Sequence, residues 1–212
     1  MKKEDSEPQN ISRRKFIKGV GTGVIGGTII PGVLTSEPAK KKQETSQPHE
    51  GKVLLPLKVN GKAIRVLVEP RTTLAQLLRD QLNLIGAKIT CNHGECGTCT
   101  VLLDGKAIYS CHILALDAAG KEVTTIEGLL NGEKLHPLQE AFIEHDGFQC
   151  GFCTPGQIMA ARALLLKHPK PTTEQVKEGM AGNLCRCSSY PHIVKSVMAA
   201  AEKTTTNAGK GG

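Results

Sequence analysis

Hydrophobic and polar positions repeat with two different periods along this chain of 212 residues. From about residue 52 to residue 130, short apolar runs are separated by turn residues, which is typical of β-strands. From about residue 131 onwards, apolar residues recur every three or four positions, which is typical of helices packed on one face. The pattern therefore predicts a β-rich domain over residues 52–130 and a helical domain over residues 131–203.

Two β-hairpins, one further strand and one helix make up the first predicted domain. The turn signals are Asn60-Gly61 in the first hairpin and Asp104-Gly105 in the second. Thr72 or Thr73 caps a helix that runs to about Leu82 with its leucines on one face. The predicted strands are Val53–Val59, Ala63–Val68, Thr100–Leu103, Lys106–Tyr109 and Val123–Ile126. A small sheet crossed by one helix is the β-grasp plan, and with the helical domain it makes the fold class α+β.

Four helices are predicted in the second domain. The second of them begins at Thr154-Pro155-Gly156-Gln157, which has the form of a capping box, and ends near Lys167. Thr172 and Gln175 repeat this device at the third helix. The predicted helices begin at Pro137, Thr154, Thr172 and Pro191. Four helices in this span indicate an all-α four-helix bundle.

Residues 1–39 have the features of a targeting segment. Arg13-Arg14 precedes a glycine-rich, weakly apolar run that is shorter than the ~20 residues a spanning helix needs. These features resemble a twin-arginine signal, which predicts export of the folded chain to the periplasm and contact with the membrane only through the export machinery. An uncleaved N-terminal anchor is the alternative, and no A-x-A site fixes a cleavage point. Residues 40–51 are predicted to be a linker and residues 204–212 a flexible tail.

Charge and composition argue against nucleic-acid binding. The chain has 27 Lys and Arg against 20 Asp and Glu, a net charge of +7, but residues 51–202 hold 16 against 14, a net of +2. The positive excess therefore lies in the two ends of the chain. Aromatic residues make up 3% of the chain and there is no Trp, so a stacking surface for bases is not expected.

The eight cysteines are the main chemical feature of the chain. An even count in an exported chain usually indicates disulfides, with zinc sites or iron–sulfur clusters as alternatives. The first four are Cys91, Cys96, Cys99 and Cys111. Their C-x4-C-x2-C…C spacing is that of a plant-type [2Fe–2S] loop. Gly94 and Gly97 allow the backbone to coil close to the metal and to direct N–H groups at the sulfurs.

The other four cysteines form a C-x2-C motif, Cys150 and Cys153, and a C-x-C motif, Cys185 and Cys187. These motifs precede the second and the fourth predicted helices. If those helices pack side by side, their N-termini bring the four thiols together and favour the thiolate form. C-x2-C alone is shared with zinc and redox motifs, whereas its combination with C-x-C is far more specific.

Four motifs in this order make the chain similar to the small iron–sulfur subunits of molybdenum hydroxylases, the xanthine dehydrogenase and aldehyde oxidoreductase group. The motifs are residues 91–101, His136-Pro137-Leu138-Gln139, residues 149–156 and Gly182-Asn183-Leu184-Cys185-Arg186-Cys187. The resemblance covers about residues 53–201 and is strongest to the periplasmic aldehyde oxidoreductases. One departure is Ser189, where the family often has Gly; it loosens the expected turn and is predicted to touch no ligand.

The resemblance implies two [2Fe–2S] clusters, one on each set of four cysteines, and an electron-transfer role within an oxidoreductase. Molybdopterin, of the cytosine dinucleotide type, would lie in a large partner subunit, with Gln149 hydrogen-bonded to the pterin. Electrons would pass from molybdenum through the pterin and the cluster of the helical domain to the plant-type cluster. They would then reach FAD in a further subunit or a cytochrome. The complex would oxidise aldehydes or hydroxylate N-heterocycles.

Two other functions remain as alternatives: a stand-alone ferredoxin-like shuttle, and a secreted binding module stapled by disulfides or zinc. A shuttle does not need a second cluster domain, which argues against the first. No Ser/His/Asp set, paired carboxylates or phosphate-binding glycine loop is recognisable, so no catalytic residue is expected in this chain. His93 is expected to be a loop residue without a ligand role. Arg186 is expected either to tune the cluster by its charge or to contact the backbone or a partner.

Overall fold

The computed structural model describes residues 51–208, which belong to one compact unit. Apart from short 3₁₀ turns, these residues form five strands and five helices. The predicted signal, nearly all of the linker and residues 209–212 lie outside the described residues. None of the helices in residues 51–208 is long and apolar enough to cross a membrane.

The five strands form one sheet in the order β2-β1-β5-β3-β4. The strands are β1 (Val53–Val59), β2 (Lys62–Val68), β3 (Thr100–Leu103), β4 (Lys106–Tyr109) and β5 (Glu122–Thr124). β1 pairs antiparallel with β2 and β3 with β4, as predicted, and β5 runs parallel to β1. Both hairpin turns are left-handed at their two central residues, with φ of 48° at Asn60 and at Asp104. The predicted strand end at Ile126 is wrong, because Ile126 begins a 3₁₀ turn.

One helix crosses the sheet, as expected of a β-grasp fold. α1 (Leu74–Gln76) continues as a π-helical turn over Leu77–Gln81. Thr73 caps α1 through a complete capping box with Gln76. The leucine face of this segment packs on the sheet in a first hydrophobic core, which includes Leu55, Leu74, Leu77, Leu78 and Val123.

The second half contains four helices: α2 (Pro137–Glu144), α3 (Thr154–Lys167), α4 (Thr173–Met180) and α5 (Tyr190–Ala208). Thr172 caps α4 through the predicted capping box. α5 extends to Ala208, into residues 204–212, which were predicted to be a flexible tail. A second hydrophobic core joins these helices and includes Phe142, Met159 and Ile193, together with Leu102 from β3. The helical half therefore packs directly on the sheet.

The capping box predicted at the start of α3 is wrong. Cys153 occupies the N-cap position and makes no side-chain cap hydrogen bond. The amide of Gln157 instead donates to the carbonyl oxygen of Asn183 at 2.8 Å. The hydroxyl of Thr154 is buried without a hydrogen-bond partner among the described residues. A polar side chain that the local pattern assigns to a cap is thus used in a tertiary contact.

Candidate iron–sulfur sites

The loop site consists of Cys91, Cys96, Cys99 and Cys111. The first three lie on the loop between the π-helical turn and β3, and the fourth lies in a 3₁₀ turn after β4. Gly94 and Gly97 have left-handed φ values of 76° and 71°. A Cβ at Gly94 would lie 2.8 Å from the ring of His112, and one at Gly97 would lie 2.6 Å from the carbonyl oxygen of Gly182. Glycine is therefore required twice in this loop.

Backbone N–H groups of the loop point at its sulfurs, as predicted. The N–H groups of His93, Glu95 and Cys96 donate to the sulfur of Cys91, at 3.4 Å for His93. They lower the pKa of the Cys91 thiol to about 6. Burial has the opposite effect on Cys111 and raises its pKa to about 11, although the N–H of Gly94 donates to it. A half-buried cysteine with a lowered pKa and a buried cysteine with a raised pKa thus belong to the same site.

The helical site consists of Cys150, Cys153, Cys185 and Cys187. The first two lie just before α3 and on its N-cap, and the other two lie in the segment between α4 and α5. The structure brings these segments together: Cys187 acts on the pKa of Cys150, and Cys185 on that of Cys153, so these thiols are neighbours. In the loop site, Cys96 acts on the pKa of Cys91, and Cys99 on that of Cys111.

Helix N-termini do not by themselves make all four helical-site thiols acidic. Burial raises the pKa of Cys153 to about 12, although this residue caps α3. The pKa of Cys150, which is exposed, is lowered mainly by the N–H of Phe152. Because a metal binds the thiolate, cluster binding must supply the free energy that deprotonates the buried ligands.

The arrangement of the cysteines in pairs fits a dinuclear cluster. In a [2Fe–2S] cluster four thiolates ligate two irons, two thiolates to each. All eight cysteines are free thiols. Within residues 51–208, no three His, Cys, Asp or Glu side chains converge as a single metal ion would require. Two thiolates for each of two irons is the coordination that these pairs would supply.

Hydrogen bonds join the two sites directly. The N–H of Leu184 donates to the carbonyl oxygen of Cys96 at 2.9 Å. The side-chain amide of Asn183 donates to the carbonyl oxygen of Gly97 at 2.8 Å and to the hydroxyl of Thr100 at 3.1 Å. The hydroxyl of Tyr109 donates to the carbonyl oxygen of Gly182 at 2.7 Å. The segment before Cys185 is thus fixed to the loop that contains Cys96.

Sequence reasoning missed three residues that contact these sites. Asn183 was only part of a motif, and Gln157 was taken as a capping residue. Ser189 was noted only as a departure from the family, and, against the opposing effect of burial, its N–H and hydroxyl lower the pKa of the Cys185 thiol. The position of Gln157 in a run of mostly small and apolar helix residues is a weak signal for such a role. The contact of Asn183 depends on tertiary packing and leaves no local signal.

The other residues singled out in the sequence lie on the surface of these sites. Gln149 is exposed immediately before Cys150. His93 is exposed in the loop site and contributes its backbone N–H to Cys91. Arg186 is exposed between Cys185 and Cys187. The structure thus leaves Gln149 and Arg186 accessible to a partner.

Comparisons with known proteins agree with this architecture. Residues 57–125 match the family model "2Fe-2S iron-sulfur cluster binding domain", and residues 125–198 match "[2Fe-2S] binding domain". The chain is therefore an electron-transfer protein with two [2Fe–2S] domains.

Two relatives and one solved structure extend this result. The aldehyde oxidoreductase iron–sulfur-binding subunit PaoA of Escherichia coli O157:H7 is 40% identical over 92% of this chain and 91% of its own length. The nicotine 6-hydroxylase small subunit of Paenarthrobacter nicotinovorans is 48% identical over 69% of this chain and 88% of its own.

The crystal structure of quinoline 2-oxidoreductase from Pseudomonas putida 86 superposes with a TM-score of 0.71 at 43% identity, covering 74% of this chain and 98% of that chain. The chain belongs to the small iron–sulfur subunits of the molybdenum hydroxylases, the aldehyde and xanthine oxidoreductase group. It is part of an oxidoreductase and transfers electrons in it.

Proposed function

We propose that this chain conducts electrons from a molybdenum centre in a large partner subunit to an acceptor, entering at the helical site and leaving at the loop site. The observation that carries this order is the exposure of the helical site. Cys150 is exposed and Cys185 is the one buried cysteine of the helical set, whereas the loop set has no exposed cysteine and two buried ones, Cys99 and Cys111. A [2Fe–2S] cluster, when bound, supplies a one-electron carrier at each site.

The ligands in this proposal are the eight cysteines, with two thiolates for each iron. Cys91 and Cys96 hold one iron of the loop site, and Cys99 and Cys111 hold the other. In the helical site the pairs are Cys150 with Cys187 and Cys153 with Cys185. These pairs follow from which thiols lie next to each other. The four surrounding helices form the proposed four-helix bundle.

An apolar surface next to the helical site supports docking of a large subunit. The large hydrophobic residues adjacent to these cysteines in sequence are 41–53% exposed: Phe148, Phe152, Leu184 and Tyr190. Exposed apolar residues around a cofactor indicate an interface more often than a free surface. Gln149 lies in the same segment, and we propose that its amide contacts the pterin of the partner's cofactor.

The proposal extends to substrate and location. Because the aldehyde oxidoreductase iron–sulfur-binding subunit PaoA matches over most of the chain, the complex is proposed to oxidise aldehydes. The acceptor is FAD in a further subunit or a cytochrome. Residues 1–39 are proposed to direct export by the twin-arginine route, with the clusters inserted first. Replacing Arg13 and Arg14 together by Lys should leave the protein in the cytoplasm, whereas a periplasmic double variant would contradict this.

Co-purification and metal analysis test the main proposal. The tagged full-length chain, expressed with its neighbouring genes, should elute with a much larger molybdenum-containing chain. It should contain four irons and four acid-labile sulfides per chain and show two EPR species on full reduction. A small monomer without molybdenum would favour the shuttle, and a colourless protein without iron would favour the stapled binding module.

A further inference from the structure

Gln157 is a polar residue buried in the interior of the helical half. It is 1% exposed and lies on α3 one turn after Cys153, whose carbonyl oxygen accepts the N–H of Gln157 at 3.0 Å. Its side-chain amide donates to the carbonyl oxygen of Asn183 at 2.8 Å. Burying an amide costs free energy unless it is hydrogen-bonded, and an apolar side chain would fill the same space without that requirement. The contact with Asn183 is therefore what distinguishes glutamine at this position.

The segment that Gln157 contacts, residues 182–184, leads directly to the proposed ligand Cys185. Most of the tertiary hydrogen bonds of this segment go to the β-grasp half of the chain, where its partners are Cys96, Gly97, Thr100 and Tyr109. Within residues 51–208, the amide of Gln157 is the only group of α3 that hydrogen-bonds this segment. The segment is thus held from two sides, and Gln157 is the contact on the side of α3.

The two sides carry different ligands of the helical site. Cys153 is the N-cap of α3 and moves with that helix, whereas Cys185 follows the segment that the β-grasp half holds. Both cysteines pack in the second hydrophobic core. We propose that Gln157 is a positioning residue, which holds residues 182–184 against α3 and thereby fixes the place of Cys185 relative to Cys153. A group that orients a ligand in this way changes the affinity of a metal site without touching the metal.

The rest of the contact between α3 and the loop site does not depend on Gln157. A Cβ at its neighbour Gly156 would lie 2.5 Å from the carbonyl oxygen of Gly97 and 2.8 Å from that of Thr98, so the backbones themselves are in close contact. This backbone packing should hold α3 against the loop when the amide of Gln157 is removed. The effect of such a change is therefore expected at the helical cluster and not at the loop cluster.

Because the role of Gln157 rests on the proposed cluster ligands, it is tested on the intact complex, in which both clusters can be followed. Gln157→Met keeps the length of the side chain and suits apolar surroundings, but it has no N–H donor. EPR of the fully reduced complex should show a changed spectrum for one cluster, and the species that Cys187→Ser alters identifies it as the helical one. In the presence of an iron chelator, the helical cluster of Gln157→Met should be lost about tenfold faster than that of the unmodified complex.

Gln175→Met is the matched control. It makes the same chemical change on the exposed side of α4, where the side-chain oxygen of Gln175 accepts the N–H of Thr172 at 2.8 Å. This glutamine stabilises a helix start and hydrogen-bonds neither cysteine segment. Both clusters of Gln175→Met should keep their spectra and their rates of loss. The loop cluster of Gln157→Met serves as the internal measure of folding and should also be retained.

The outcomes separate the role of Gln157 from the proposed function. Iron content below four per chain in the unmodified complex would refute the ligand assignment itself. Full iron content in the unmodified complex, with an unchanged spectrum and rate of loss for the helical cluster of Gln157→Met, would refute the positioning role alone. Equal loss of both clusters in Gln157→Met would also refute it, because Gln157 would then contribute only to the stability of the fold.

Discussion

The N–H of Leu184 donates to the carbonyl oxygen of Cys96 at 2.9 Å, although the two residues lie in different halves of the chain. Leu184 precedes one ligand of the helical site, and Cys96 is itself a ligand of the loop site. A single hydrogen bond and a few covalent bonds therefore connect the two cysteine sets. This link gives the proposed electron route a short path through the protein and makes the packing of the two halves part of the function.

Serine variants of the two sites should fail at different steps. Cys187→Ser should abolish substrate-driven reduction of any external acceptor, because it removes a ligand of the site proposed to receive electrons from the partner. Cys96→Ser should block transfer to the natural acceptor, while substrate still reduces the molybdenum centre. Stopped-flow spectroscopy of the purified complex with an aldehyde separates these cases.

The matched control for both variants is Ser110→Ala, which removes a buried hydroxyl bonded to the carbonyl oxygen of Cys99 and no ligand atom. It should retain both clusters and full turnover. Normal turnover of the Cys96→Ser complex with its natural acceptor would show that the loop site is not on the route.

Asn183 should be required for the packing of the two sites. Asn183→Leu removes one of the donors to the carbonyl oxygen of Gly97 and the donor to the hydroxyl of Thr100, and a hydrogen bond contributes about 0.5–1.5 kcal/mol. Chemical unfolding of the complex-bound and the free chain, followed by loss of cluster absorbance, should show a lower midpoint for this variant. Asn131→Ala is a suitable control, because Asn131 is exposed and its hydrogen bonds are made by its backbone. An unchanged midpoint in Asn183→Leu would exclude this role.

Local signals in the sequence were sufficient for most of the fold. The Asn60-Gly61 and Asp104-Gly105 turns, the Thr73 cap and the apolar face of α2 are determined by neighbouring residues, so the pattern identifies them. The spacing of the cysteines likewise identifies both sets, because the loop geometry of such a site depends on few residues.

Features decided by tertiary contacts could not be predicted in this way. Gln157 has the local pattern of a capping residue, yet its amide binds the carbonyl oxygen of Asn183. The turn before α5 has its left-handed residue at Ser188, with φ of 60°, and not at Ser189. The π-helical turn after α1 is also invisible in the spacing of the leucines. In each case the feature depends on a partner that is remote in sequence or on a local adjustment of the backbone.

Gly97 and Gly105 form a matched pair for testing the loop. Both have left-handed φ, 71° and 78°, so alanine is strained at either position. Only at Gly97 would the added Cβ meet other atoms, at 2.6 Å from the carbonyl oxygen of Gly182, whereas nothing lies within 4 Å at Gly105. Gly97→Ala should therefore reduce the iron content of the purified chain and separate the two halves, and Gly105→Ala should only lower stability by about 1 kcal/mol. Equal iron content in the two variants would mean that this close contact is not needed for cluster assembly.

Acidification should weaken the start of α2 through His136. The Nδ1 of His136 accepts a hydrogen bond from the N–H of Leu138 at 3.1 Å, so this nitrogen must be unprotonated in the folded state. Burial, together with the nearby charge of Arg162, holds the pKa of His136 below its ordinary value of 6.5.

Below about pH 6.5 the unfolded chain therefore takes up a proton that the folded chain resists, and stability falls as the pH is lowered. His136→Asn keeps a good capping side chain without a titrating group. The unfolding midpoint of the unmodified chain should decrease more steeply than that of His136→Asn between about pH 7.5 and about pH 5.5, the range in which histidine titrates. Parallel pH profiles for the two proteins would show that His136 does not titrate in this range and that its cap does not depend on pH.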